Sequence, residues 1–201
     1  MSEDFLYERI KIADGIKLEI ITGGSRYKGK LWRELAMQIY CESGKGDYRE
    51  IGHFSSGAPF LYGEDERISI SHTEGCLVVA TIKTSPESDL SIFSPATALG
   101  VDVEHSQREK VMTVRERFLS DRETGKIDAK DVKANVTAWT CKEAMLKAGM
   151  KNDINWVSDL TVIKLPTENE SGYGEIDLEG ETFEMKLHTL HYDGFVITVA
   201  R

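Results

Sequence analysis

The segment Gly-Val-Asp-Val-Glu at residues 100–104 limits the possible folds of this chain more than any other feature of its sequence. Side chains alternate between the two faces of a β-strand, so Asp102 and Glu104 point to one face. Val101 and Val103 point to the other face, where they are available for packing. The segment therefore predicts a strand that holds a pair of carboxylates on a rigid platform.

A second segment, Trp-Thr-Cys-Lys-Glu-Ala-Met-Leu-Lys at residues 139–147, has the pattern of an amphipathic helix. Glu143 and Lys147 lie one turn apart on one face of that helix. Taken alone, this pair is most simply a surface ion pair, worth about 0.3–0.5 kcal/mol. A separate stripe of small and apolar side chains is formed by Cys141, Ala144, Met145 and Ala148.

The two segments together suggest another use for these charges. Asp102, Glu104 and Glu143 supply three carboxylates, and Lys142 and Lys147 belong to the same helix as the third. Hard divalent cations prefer oxygen ligands, and ammonium groups bind the oxyanions that such a cation also binds. We therefore predict phosphoryl chemistry at this place.

The order of the motifs resembles the signature of the 4'-phosphopantetheinyl transferase superfamily, in particular its two-half, surfactin-synthetase-activating type. That signature reads Gly-Val-Asp-x-Glu, then an interval, then Trp-Thr-x-Lys-Glu-Ala-x-x-Lys. Gly57-Ala58-Pro59 is similar to the family's Gly-basic-Pro element, and Ile-Ser-His-Thr at residues 70–73 is similar to its Ser-His-Ser element. Residues 194–200 resemble the closing strand of the family.

The resemblance implies an α+β fold of two similar halves in one chain, with the active site between the halves. Residues 1–97 would form the N-terminal half with coenzyme A contacts, and residues 98–201 the C-terminal half with the metal site and the signature helix. The implied reaction transfers 4'-phosphopantetheine from coenzyme A to a serine of an acyl or peptidyl carrier protein. It releases adenosine 3',5'-bisphosphate, and its implied cofactor is Mg²⁺.

The resemblance also assigns roles to individual residues. Its implied magnesium ligands are Asp102, Glu104 and Glu143. Its implied contacts with coenzyme A are Ser71, His72, Lys142 and Lys147, of which Lys147 also takes part in catalysis.

Two assignments stay open at the level of the sequence. Either Glu143 or Glu104 could take the proton of the carrier serine, directly or through a water molecule. Ala58 replaces the basic residue of the Gly-basic-Pro element, so one cationic contact with the nucleotide is missing. Relatives draw their contacts with the 3'-phosphate of coenzyme A from the first half, where Arg26, Lys28, Lys30 and Arg33 could supply them here. Of these we choose Lys28 and Lys30, although residues 25–33 could equally be the solvated start of a helix.

The distribution of charge is informative. The net charge of −9 argues against a general nucleic-acid binder. Residues 105–151 nevertheless hold eleven Lys/Arg against seven Asp/Glu, a local charge of +4 in a chain that is otherwise −13. Such a basic region, in which Arg115 and Arg122 lie outside the motifs, would attract anionic coenzyme A and an acidic carrier protein. Its alternative is an ordinary mixed-charge helix surface.

The remaining expectations concern location and class. No run approaches the roughly 18–20 apolar residues that cross a membrane, and the first residues lack the pattern of a secretory signal. We expect a cytoplasmic monomer that binds neither membranes nor nucleic acid, with three unpaired cysteines. Two rival functions remain: a non-catalytic relative that binds carrier protein or coenzyme A, and a magnesium-dependent phosphohydrolase.

The pattern of apolar residues predicts the following elements in the two halves. In the first half we expect a strand at 16–21, a helix at 30–41 and a hairpin at 68–83, followed by a turn-rich connection. In the second half we expect a strand at 98–104, helices at 106–119 and 131–148, and strands near 160–165, 173–178, 182–190 and 194–200.

Overall fold

The structure is a computed structural model that describes residues 4–44 and 48–201. Within these residues the first half of the chain forms β1 (Phe5–Lys11), β2 (Lys17–Gly23), α1 (Gly29–Glu42), β3 (Ile51–His53), β4 (Pro59–Leu61), β5 (Glu66–Thr73) and β6 (Cys76–Lys83). The second half forms β7 (Gly100–His105), α2 (Lys110–Thr113), α3 (Asp121–Thr124), α4 (Val132–Gly149), β8 (Leu160–Lys164), β9 (Gly172–Leu178), β10 (Glu181–Tyr192) and β11 (Phe195–Ala200). The predicted α+β class is confirmed.

Two antiparallel sheets organise these elements. The first sheet has the strand order β1-β2-β6-β5-β4-β3, and the second has the order β7-β11-β10-β9-β8. Residues 84–99 connect β6 of the first sheet to β7 of the second. Each sheet therefore belongs to one half of the chain. Among the described residues, no helix is both long enough and apolar enough to cross a bilayer.

Helix α1 covers one face of the first sheet. Trp32, Ala36 and Tyr40 follow one another at intervals of four residues, so they lie along one side of the helix and are buried. They pack against Ile21 and Val79 of the sheet. The indole nitrogen of Trp32 also donates a hydrogen bond of 2.8 Å to the carbonyl of Gly23. These contacts fix the start of α1 beside the end of β2.

The opposite face of the first sheet packs on the second half. Strands β2 and β6 contribute Leu18, Ile20, Val78 and Ala80 to a buried cluster that strands β7 and β11 complete with Val101, Val103, Ile197 and Val199. The alternation predicted for β7 is thus confirmed, since its valines are buried in this cluster while Asp102 and Glu104 point the other way. The two halves share one apolar core.

Helix α4 packs directly against β7 and β11. The predicted apolar stripe is confirmed: Cys141, Ala144, Met145 and Ala148 are all fully buried. Gly100 allows the close approach, because a Cβ there would collide with the carbonyl oxygen of Ala144 and lie 2.7 Å from the nitrogen of Ala148. The glycine of the sequence motif therefore sets how near the signature helix lies to the acidic strand.

The prediction of a helix over residues 106–119 is wrong. This region contains only the single turn α2 and a 3-10 turn at Arg115–Arg117. Three β-branched residues, Val111, Thr113 and Val114, lower the helix propensity of the stretch. The sequence analysis also did not foresee β1, β3 and β4, which are edge or near-edge strands with little apolar alternation.

Candidate active site

Three elements bring the predicted acidic residues and their neighbours together. The end of β5 supplies Ser71 and His72, β7 supplies Asp102, and α4 supplies Glu143 and Lys147. Strand β5 lies beside β7 across the boundary between the two sheets, and α4 packs on β7. The site therefore lies where the two halves meet.

Asp102 and Lys147 form the centre of the site. The Lys147 ammonium donates to Asp102 Oδ1 at 2.8 Å, to the Val101 carbonyl at 2.9 Å and to Ser71 Oγ at 3.0 Å. Asp102 Oδ1 also accepts a hydrogen bond of 2.7 Å from Ser71 Oγ. Asp102 itself is buried. A carboxylate and an ammonium group are thus held in one fixed arrangement.

The second oxygen of Asp102 is the unusual atom of the site. Oδ2 is buried and has no hydrogen-bond partner among the described residues. A buried acceptor without a partner costs about 1–3 kcal/mol, so such an atom calls for an explanation, for example a bound water or ion. The free oxygen belongs to the residue that the sequence resemblance assigns as a metal ligand, and its chemistry suits a hard cation.

Glu143 lies close enough to Asp102 for the two carboxyl groups to affect each other. Burial and, to a smaller extent, the charge of Asp102 together raise the pKa of Glu143 to about 7, against the opposing effects of Lys147 and Arg108. A carboxyl group with a pKa near neutrality can accept a proton and later release it. Asp102 and Glu143 therefore repel each other when both are ionised.

Glu104 is engaged in a different way. One carboxylate oxygen forms an ion pair with Arg108, and the other accepts a hydrogen bond of 3.4 Å from Thr73 Oγ1. Arg108 is not among the predicted site residues. It follows Glu104 by four residues, a spacing that indicates contact only within a helix. Because Glu104 lies near the end of strand β7, that spacing gave no reason to pair the two residues.

The predicted magnesium ligands can be compared with this geometry. The donors fit Mg²⁺ in type, because they are carboxylate oxygens and one of them is buried without a partner. Within the described residues, however, no group of three or more His, Cys, Asp or Glu side chains is arranged around one metal-sized centre. Lys147 forms an ion pair with Asp102, and Arg108 forms one with Glu104. The set of magnesium ligands therefore stays a prediction.

His72 borders a cavity on the side of the first half. The cavity measures about 380 Å³ and is lined by residues that include Lys30, Arg33 and His72. Burial lowers the pKa of His72, and the charges of Arg33 and Lys147 lower it further, against the effect of Asp102. Positive charge is therefore concentrated between this cavity and the centre of the site.

The two predicted phosphate-binding lysines lie at the mouth of the same region. The Lys28 ammonium is 2.6 Å from Glu74, and the Lys30 ammonium is 3.4 Å from Glu34. All four side chains are more than half exposed, and such pairs contribute little to stability. An anionic ligand could displace either glutamate at small cost.

A second cavity is lined in part by residues of the site. It measures about 420 Å³, and its lining includes the segment Gly57-Ala58-Pro59 as well as Glu143, Lys147 and Lys151. The segment that resembles the family's Gly-basic-Pro element is thus close to α4, although the two are far apart in the sequence. Ala58 offers no charge here, whereas Lys147 and Lys151 do.

The structure does not support the predicted contact of Lys142 with coenzyme A. The side chain is 0% exposed, and its ammonium donates to Glu123 at 2.8 Å, to the Trp156 carbonyl at 2.9 Å and to the Leu160 carbonyl at 2.7 Å. All three of its donors are used. Lys142 therefore faces the interior of the second half, away from both cavities.

The comparison with protein families concerns the second half of the chain. The family model named ACPS, the 4'-phosphopantetheinyl transferase superfamily, matches residues 98–200, just over half of the chain. The protein belongs to the 4'-phosphopantetheinyl transferase superfamily. The matched region contains Asp102, Glu104, Glu143 and Lys147. A search of the curated proteins found no match. Membership indicates phosphopantetheine transfer as the general reaction.

Proposed function

We propose that this protein transfers 4'-phosphopantetheine from coenzyme A to a serine hydroxyl of an acyl or peptidyl carrier protein. The nucleotide product would be adenosine 3',5'-bisphosphate. One observation carries the proposal: Asp102 and Lys147 form a fixed pair at the boundary between the halves, and Lys147 and Glu143 line a cavity of about 420 Å³. A pyrophosphate bound in this cavity would meet the Lys147 ammonium.

The reaction is a displacement at phosphorus. The serine oxygen of the carrier protein forms a bond to the phosphorus on the pantetheine side of the pyrophosphate. The bond from that phosphorus to the bridging oxygen breaks, and the bridging oxygen leaves with adenosine 3',5'-bisphosphate. The serine proton must move to a base, and negative charge moves to the leaving phosphate.

We assign the base to Glu143. In the metal-free protein its pKa is raised to about 7, so it holds a proton more readily than an ordinary carboxylate. A bound cation would favour its ionised form, which is the form that accepts the serine proton. Glu104, the alternative, already holds Arg108 in an ion pair. Protonation of Glu104 would weaken that pair, so Glu143 is the better acceptor.

Lys147 would stabilise charge on the pyrophosphate. Its ammonium is fixed by three oxygen acceptors, so it needs little reorganisation when negative charge develops nearby. Asp102, Glu104 and Glu143 would hold Mg²⁺, which when bound supplies Lewis-acid neutralisation of the phosphate oxygens. Lys28, Lys30 and His72 would contact the 3'-phosphate at the first cavity.

Intact-protein mass spectrometry of apo carrier proteins tests the proposal. A panel of acyl and peptidyl carrier proteins would be incubated with coenzyme A, Mg²⁺ and this protein, and we expect at least one to gain a single phosphopantetheine group. The Asp102→Ala variant, folded but without the central carboxylate, is the control and should give no product.

Two other results would each identify one of the rival functions instead. Free phosphopantetheine released without a carrier protein would identify a phosphohydrolase. Coenzyme A binding, measured by calorimetry, with no product from any carrier protein or from coenzyme A itself would identify a non-catalytic relative.

A further inference from the structure

Strands β5 and β7 are joined by serine side chains instead of a backbone ladder. Among the strands that the structure describes, β7 is the edge of the second sheet and pairs only with β11, so its backbone N–H groups at Val101 and Val103 point away from that sheet. Val101 N–H donates to Ser69 Oγ at 3.0 Å, and Val103 N–H donates to Ser71 Oγ at 3.3 Å. Two serines at alternate positions of β5 thus complete the free edge.

Ser71 does more than Ser69. Its hydroxyl also donates to Asp102 Oδ1 at 2.7 Å and accepts from the Lys147 ammonium at 3.0 Å. A serine hydroxyl offers one donor and two acceptor positions, and all three are now used. Ser71 is only 6% exposed. Its hydroxyl therefore has no capacity left for a contact with coenzyme A in this arrangement.

We infer that Ser71 is a positioning residue, which holds Asp102 and Lys147 in register across the two halves of the protein. By binding Oδ1, it directs the partnerless Oδ2 of Asp102 toward the space where a divalent cation would bind. This inference rests on the proposed function, and it replaces the direct contact with coenzyme A that the sequence resemblance implies for Ser71.

The two roles predict different defects in a Ser71→Ala variant. Loss of a direct contact would weaken the binding of coenzyme A. Loss of a positioning contact would weaken the binding of the cation and lower kcat, because groups that orient a metal ligand typically change metal affinity by about 10- to 100-fold. The affinity for coenzyme A without metal would change much less, because Lys147 keeps its contacts with Asp102 Oδ1 and the Val101 carbonyl.

Ser69→Ala is the matched control. Ser69 is similarly buried, at 4% exposure, on the same face of the same strand, and its hydroxyl likewise accepts one bond from the edge of β7. It has no hydrogen bond to Asp102 or Lys147. Both variants lose a bond between the sheets, so both should melt at a lower temperature, and only Ser71→Ala should lose the orientation of Asp102.

The experiment measures Mn²⁺ binding by electron paramagnetic resonance and coenzyme A binding, without metal, by calorimetry. We expect Ser71→Ala to weaken Mn²⁺ binding about tenfold or more and to change the Kd of coenzyme A less than about twofold. Ser69→Ala should change Mn²⁺ affinity less than about twofold, and Ser71→Thr, which keeps the hydroxyl, should recover most of it.

Two results would overturn the inference. One is a loss of coenzyme A affinity in Ser71→Ala as large as its loss of Mn²⁺ affinity. The other is an equal loss of Mn²⁺ affinity in Ser69→Ala. If Ser71→Ala does not fold, Ser71→Thr and Ser71→Cys decide, because equal Mn²⁺ affinities in these two variants would contradict a role for the hydroxyl. A wild-type protein that binds neither Mn²⁺ nor coenzyme A would contradict the proposed function itself.

Discussion

The two lysines of the signature helix lie in opposite kinds of surroundings. Lys142 is fully buried, and its partners are Glu123 and two backbone carbonyls of the second half. Lys147 is 30% exposed, and its partners are Asp102, Ser71 and the Val101 carbonyl at the boundary between the halves. Both occur in one nine-residue motif.

A charged residue in a motif can therefore either stabilise the fold or serve the site. Glu123 accepts hydrogen bonds from Lys142, from the hydroxyl and N–H of Ser120, and from Val162 N–H. That closed network joins α3, α4 and β8 and leaves nothing free. The network around Lys147 leaves one oxygen of Asp102 without a partner. A complete network stabilises a fold, whereas an incomplete one offers a place for a ligand.

The largest effect is expected from Lys142→Met. The variant leaves Glu123 as a buried charge without its cation, which should lower the free energy of unfolding by about 3–5 kcal/mol. Urea denaturation measures this loss. The double variant Lys142→Met with Glu123→Gln removes both charges and should recover part of it. A variant of wild-type stability with weak coenzyme A binding would mean that Lys142 does face the ligand.

The second-largest effect is expected from Lys147, the other lysine of the motif. Lys147→Met should reduce transfer about 100-fold or more, equivalent to about 2.7 kcal/mol of transition-state stabilisation, with a smaller loss of stability than Lys142→Met. Lys133→Met, an exposed change in the same helix, is the control for the substitution. Near-normal transfer by Lys147→Met would assign both lysines to the fold.

The pH dependence of stability tests the raised pKa of Glu143. In the metal-free protein the folded state keeps the Glu143 proton up to a pKa of about 7, above the ordinary value of 4.5. Stability should therefore fall as the pH rises from about 4.5 to 7, and Glu143→Gln should not show this fall. The difference above pH 7 is at most on the order of 3 kcal/mol. Melting temperatures at pH 5 and pH 8 would reveal it, and parallel curves would contradict the raised pKa.

Much of the scaffold of the site could be predicted because its signals are local. The alternation in β7 and the stripe on α4 follow from the periods of a strand and a helix. The directions of the two lysines were also accessible in principle, since five residues along a helix correspond to about 140° around its axis. That angle places Lys142 and Lys147 on different faces.

The partners of the charges could not be predicted, because they depend on packing between distant segments. Glu123 lies in a short helix that propensity does not indicate, and the two carbonyls that Lys142 contacts lie beyond the end of α4. The fully used hydroxyl of Ser71 is likewise visible only when β5 and β7 are side by side. Sequence motifs thus indicate which residues matter and leave their roles to the fold.

A smaller effect is expected at the exposed lysines of the first half. Lys30→Ala should weaken coenzyme A binding about fivefold, equivalent to about 1 kcal/mol, and should change dephospho-coenzyme A binding little. Lys17→Ala is the control. Lys17 also forms an ion pair, with Glu66, but it lies on strand β2 and not at the cavity that Lys30 lines. Calorimetry with both ligands gives the comparison. If Lys30→Ala weakens both ligands equally, the 3'-phosphate binds elsewhere.

The smallest effect concerns the basic surface between residues 105 and 151, and here the structure changes the choice of residues. Arg115 is not a free surface charge, since it donates to Asn135 Oδ1 at 2.6 Å and to the Ile127 carbonyl. Arg117 and Arg122 are exposed. If this surface attracts an acidic carrier protein, Arg117→Glu with Arg122→Glu should raise the KM for the carrier about two- to fourfold at low salt and leave kcat and the KM for coenzyme A unchanged.

Salt and a second charge reversal decide whether that attraction is local. Exposed charges are screened beyond roughly 8–10 Å at physiological ionic strength, so the difference between wild type and variant should shrink as salt is added. Lys11→Glu with Lys83→Glu changes the net charge equally, at exposed positions of the first sheet, and should raise the carrier KM much less. Equal effects of the two double variants would show that the total charge governs encounter. In that case the basic surface is an ordinary solvated one, and the docking surface for the carrier protein would have to be sought in the first half.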